Sequence, residues 1–283
     1  MDCDLHQAAW SISISATVTT VATVLLYFRG WRRLRRSFPE VAAGCRPSDF
    51  VGGMFVLWVV IGSPLSALDH ALLTFHMVQH LLLMTIAAPL ILMATPGVAF
   101  FRGVPYPVRR AARTIMCSAA ARRIGRSLTH PIVCWLIGTG AVIAWHVPPA
   151  HELSMRSHSW HVVQHVTFFV AGLLFWWPVV NPGSDNTRFA RSSAPLYLFL
   201  ATLPCDALSA FLAFCGRVVY PSHASAPPMF GLTPLQDQEC AGALMWFWVT
   251  IAYLLPAIVI TVRMLSPSRP GAQWSPARSP DRS

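Results

Sequence analysis

ALLTFHMVQHLLLMTIAAPLILMA, residues 71–94, is almost wholly apolar and contains no Asp, Glu, Lys or Arg, yet it holds His76 and His80. About 20 apolar residues in a helix match the ~30 Å hydrocarbon core of a bilayer. The stretch reads as a transmembrane helix. Residues four apart share a face, so the two histidines point the same way.

Working outward, six more segments have this character. The seven run approximately over residues 8–28, 50–68, 71–94, 131–147, 160–180, 195–217 and 241–262. The chain is 54% hydrophobic and 11% charged, against about 25% charged for a soluble domain. That excludes a disordered chain and argues against a soluble enzyme. The expected fold is all-α: a polytopic bundle of seven transmembrane helices forming one domain over residues 1–265. A tail over residues 266–283, rich in Pro, Ser and Arg, is expected to be disordered.

The net charge of +10 would suggest nucleic acid in a soluble protein, but here its placement decides. All 21 basic residues are Arg, and all but Arg156 and Arg217 fall in alternate loops and the tail. Cytoplasmic loops carry the basic excess, so the N-terminus is expected outside, the C-terminus and tail in the cytoplasm, and the nucleic-acid reading is set aside. Residues 111–127 read as an amphipathic cytoplasmic helix on anionic lipid.

Under this topology every histidine except His130 lies at or near the outer side. The pattern H-x-V-Q-H occurs twice, at His76–His80 and His161–His165, in two helices that run from outside inward. This suggests duplication of a two-helix unit. His146 ends a helix rising to the same level. Asp69 lies seven residues before His76, and His158 seven before His165, each extending a stripe. A lone membrane histidine most often hydrogen-bonds a neighbouring helix; two paired stripes point instead to a metal or cofactor held by His76, His80, His161 and His165, with His146 a further candidate. His70, His151, His158 and His223 read as loop residues.

Imidazole suits zinc, copper, iron and nickel; thioethers such as Met77, Met84, Met155 and Met245 would favour Cu(I). Cys3 and His6 form a candidate outer recruiting site. Cys215 and Cys240 flank one outer loop and are candidates for a disulfide in an oxidising compartment. Asp206 is a carboxylate in mid-span, a functional candidate by default. Asp237 reads as a cap for its own helix, and Gln238 and Met245, seven apart, as sharing an inward face.

Several blocks, in order, carry a resemblance: HMVQHLLL with AAPL and TP (76–96), WHVP (145–148), HVVQH with FWWP (161–178) and PLQDQECAGALMW (234–246). Together they resemble the Caa-type CtaG family of cytochrome c oxidase assembly factors, over about residues 50–262. The resemblance implies a multi-pass protein of the bacterial plasma membrane that binds copper, as Cu(I), and supplies it to the CuB site of cytochrome c oxidase subunit I. It carries over His76, His80, His146, His161 and His165 as metal-site residues, and Asp237, Gln238 and Met245 as block residues. A periplasmic copper donor and a homo-oligomer are compatible partners beside the lipid. The residues alone leave open a zinc hydrolase using Asp69 or Asp206, a haem protein with bis-His ligation, and a copper permease.

Overall fold

The computed structural model describes residues 12–63, 68, 72–181, 191–224 and 231–266. Among them all regular structure is helical. Cys3, His6, Asp69, His70 and residues 267–283 lie outside the described residues.

Four helices are long and apolar enough to cross a membrane: α4 (Leu73–Met93), α10 (His158–Val180), α11 (Ala194–Phe214) and α13 (Pro234–Leu265). A fifth crossing forms if α7 (Ala119–Leu128) and α8 (Pro131–His146), bent by 64° at their junction, count as one. Helix α1 (Ile14–Ser37) is interrupted in apolar character by Thr17, Thr19, Thr20 and Thr23 and by the Arg residues after Phe28. Helix α3 (Pro47–Gly62) is apolar but short, because the residue before Pro64 must be extended, and Ser63 is. Large apolar side chains such as Leu196, Phe247 and Ile258 face outward, as they do where the surrounding solvent is lipid.

Other boundaries depart from the hydropathy reading for local reasons. Helix α13 begins well before residue 241, because Pro234 sits in its first turn and Thr233 and Gln236 form a reciprocal capping box. Residues 106–128 form two helices, α6 (Tyr106–Cys117) and α7, where one was expected; extended Ser118 accepts from the Ala121 N–H and starts the second. Neither buries a side chain.

The core has two parts. In the first, α1, α3 and α5 (Pro96–Gly103) close around Tyr27, Phe50 and Phe100. A Cβ at Gly30 would strike the Ala99 carbonyl oxygen. Backbone here lies against backbone. The second gathers α4, α8, α10, α11 and α13 around Phe168, Phe175, Trp176, Tyr197 and Tyr253. Gly172 and Gly242 admit the close approaches of α10 to α4 and of α13 to α11.

Helix α4 is not uniform. It is α-helical over Leu73–Leu81, π-helical over Leu82–Ala87 and α-helical again over Ala88–Met93. The cause is Pro89, which lacks an N–H and whose ring would crowd the Thr85 carbonyl in a tighter turn. Two indoles hold the wide turn: Trp176 donates to the Met84 carbonyl (2.9 Å) and Trp248 to the Thr85 hydroxyl (2.8 Å). Such turns recur at functional sites.

Candidate metal centre

The two motif helices, α4 and α10, lie together at the histidine end of the second core. In α4 the residues His76, Gln79 and His80 are buried; in α10 His161 and Gln164 are buried and His165 is half-buried. Ring centroids lie 4.2 Å apart for His76–His80, 5.7 Å for His76–His161, 5.6 Å for His80–His165 and 4.3 Å for His161–His165. All four paired histidines therefore share one cluster. Each motif also reaches across with its glutamine: Gln164 Nε2 lies 3.5 Å from His76 Nε2, and Gln79 Oε1 lies 3.1 Å from His165 Nε2.

Two histidines read as loop residues belong here. His151, on α9 (Pro148–Arg156), stands 5.0 Å from the His76 ring, and His223, on α12 (Pro221–Ala224), stands 5.3 Å from His151. Both are buried. The turn after His146 sends α9 back over the bundle end, and Tyr220 stacks on His151 at 4.2 Å while donating to the His146 carbonyl. Glu152 fixes the second loop by accepting the Ser222 N–H. Burial, then the neighbouring His223, pushes the His151 imidazole down to about 3, which keeps it neutral and able to act as a ligand. The sequence signal for these two, and for the glutamines, is only their position beside the motifs.

His146 joins from α8, but one step aside. Its Nδ1 donates to the Val142 carbonyl (2.7 Å), and its Nε2 faces Met77 Sδ at 3.3 Å.

Other candidates fall elsewhere. Asp237 caps not its own helix but α4: its carboxylate accepts from the Leu73 N–H (2.6 Å) and the Thr74 N–H (3.2 Å), with the Thr74 hydroxyl at 2.6 Å. This satisfies a helix start whose own cap residue, Leu72, has no polar side chain. Gln238 braces the end of α11, accepting from the Val219 N–H and donating toward Leu212 and Arg217 carbonyls. Asp206 faces the Thr202 and Thr250 hydroxyls. His158 is exposed. Cys215 and Cys240 are both free thiols, and Cys215 donates to the Arg217 carbonyl.

Do these residues suit a metal? Among the described residues no three His, Cys, Asp or Glu side chains have their ligating atoms gathered about one point. Most ring pairs pack edge to face, whereas His76 and His161 lie nearly parallel. Yet His80 is buried with neither ring nitrogen hydrogen-bonded, and His76 Nδ1 and Gln164 Oε1 are likewise without partners. Buried polar atoms are normally paired, and an unpaired one asks for a reason such as an ion. In chemical kind the cluster suits a metal bound by imidazole, while its ring nitrogens as placed do not converge on one point.

A chain of long apolar helices with a buried cluster of imidazoles at one end defines a membrane protein with an unusually polar level inside its bundle. The chain belongs to the family described as the cytochrome c oxidase caa3 assembly factor, whose model matches residues 25–266. It is similar to uncharacterised proteins of Mycobacterium bovis and Mycobacterium tuberculosis, 22% identical to each over 273 residues, which cover 94% of this chain and 39% of theirs. The chain thus spans about two fifths of those relatives. No solved structure matches it.

Proposed function

We propose that this protein assists assembly of haem–copper cytochrome c oxidase by holding copper in the histidine cluster and passing it to CuB of subunit I. In this reading the bundle crosses a bacterial plasma membrane seven times, N-terminus outside and C-terminus in the cytoplasm. The cluster then lies in the outer leaflet. The observation that carries the reading is the six-ring cluster His76, His80, His151, His161, His165 and His223, with His80 left without a hydrogen bond at either nitrogen. Rotations of rings already in contact would turn their lone pairs toward one ion. Neutral imidazoles leave a Cu(I) complex with a single positive charge, the smallest that a metal ion can bring into hydrocarbon. Transfer proceeds by ligand exchange: one imidazole leaves the ion as a ligand of the client takes its place.

The rival readings lack their parts. A hydrolase needs a free carboxylate beside the metal; Asp237 and Glu152 are spent on backbone N–H groups, and Asp206 is not among the residues lining the cavity beside His80. A bis-His haem needs a slot as wide as the macrocycle between two rings, whereas these rings touch. The test is elemental analysis of purified protein. Wild type is expected to carry copper above a variant lacking His76, His80, His161 and His165; equal copper in the two would defeat the proposal.

A further inference from the structure

The stripe that carries the motif histidines continues past them. Met77 and Met84 stand seven residues apart on α4 with His80 between, so a thioether lies on either side of that imidazole along one helix face. This face lines a cavity of about 30 Å³, whose wall is completed by His146 of α8, Cys205 of α11 and Met245 of α13. The space suits one water molecule or one bare ion.

The wall says which. The Val142 carbonyl can only accept, so the proton of the neutral His146 ring sits on Nδ1 and its Nε2 carries a lone pair. That lone pair faces Met77 Sδ at 3.3 Å. Two electron-pair donors confront each other with no proton to share, as two ligands of one ion do. His80 brings a second ring with no hydrogen bond at either nitrogen. A trapped water would need two to four hydrogen-bonding partners; Thr85 already donates to the Leu81 carbonyl and accepts from Trp248, so only the His80 and His146 nitrogens could serve, and the sulfurs around them would gain nothing from it. The rest is sulfur, hydrocarbon and the Phe168 and Tyr253 rings, with no carboxylate. Thioether, thiol and imidazole together select a soft monovalent ion over hard divalent ones.

We propose that this cavity is a second metal site, selective for Cu(I), in series with the histidine cluster and sharing His80, whose ring lies 4.2 Å from His76. The inference rests on the copper reading above. In it, the ion enters through the imidazoles and comes to rest among the sulfurs.

X-ray absorption at the copper edge, with a copper count, tests it on purified full-length protein loaded anaerobically with Cu(I). Wild type is expected to show both nitrogen and sulfur scatterers. The M77L/M84L/M245L variant, close to wild type in volume, is expected to lose about one equivalent of copper and most of the sulfur signal. The H76A/H161A variant is expected to keep sulfur. Should the triple variant misfold, M245L alone is expected to lose one sulfur scatterer. Copper bound through nitrogen only, or sulfur scattering unchanged in the methionine variants, overturns this site and leaves the assembly reading standing. Failure of wild type to bind copper at all overturns both.

Discussion

The two cores of this molecule are built on opposite terms. Around Gly30 and Ala99, helices α1 and α5 meet backbone to backbone beneath a stack of Tyr27 on Phe50 at 4.1 Å, and polar side chains play little part. Around His76 and His80 the helices meet through imidazole and amide side chains, and several buried polar atoms have nothing to bond. The first core is filled to stay in place. The second accepts a penalty in stability at one level, which is where a protein keeps groups needed for something other than folding.

Substitutions can break or sharpen that contrast. The largest effect is expected for Gly30→Val. Its side chain would displace the Ala99 backbone, and a clash with backbone costs upward of about 4 kcal/mol; little folded protein should elute as a single species on size exclusion. Next comes Asp237→Ala, which strips the carboxylate from Leu73 and Thr74. Losing a charged cap that serves buried donors costs about 2 kcal/mol, read as a lower melting temperature, with copper binding weakened because α4 starts loosely. Gly172→Ala is expected to cost about 1 kcal/mol, since its Cβ would meet the Met84 backbone at 3.0 Å and nudge the π-helical turn. The smallest stability effect belongs to the residue at the centre of the proposed site. His80→Leu removes two unpaired nitrogens, so melting should change by less than about 1 kcal/mol, or rise, while copper content falls sharply. Marked destabilisation by His80→Leu would mean that the ring is a structural member and that the two cores are not so different.

The sequence made some of this legible. The apolar stretches mark the long helices, and the four-residue spacing of His76 with His80 and of His161 with His165 puts the paired rings on one face each; the Arg runs expected in loops instead lie within α1, α5, α6 and α7. What it could not supply are relations that depend on where distant elements come to rest. His151 and His223 sit on short helices with no apolar periodicity in the sequence and enter the cluster only because α9 and α12 fold over the bundle end. Asp237 looks like a cap, and is one, but for a helix that starts 164 residues earlier in the chain. The π-helical turn follows from Pro89, yet the two indoles that stabilise it come from α10 and α13.

The Asp237 carboxylate also sets an order of events. Helix α4 is made first, and the residue that secures its first turn arrives 164 residues later, on α13. Until then Leu73 and Thr74 lack their acceptor, and the histidines a turn further on have no fixed starting point. A nascent or truncated chain ending before α13 would insert its imidazoles into lipid without holding them in register.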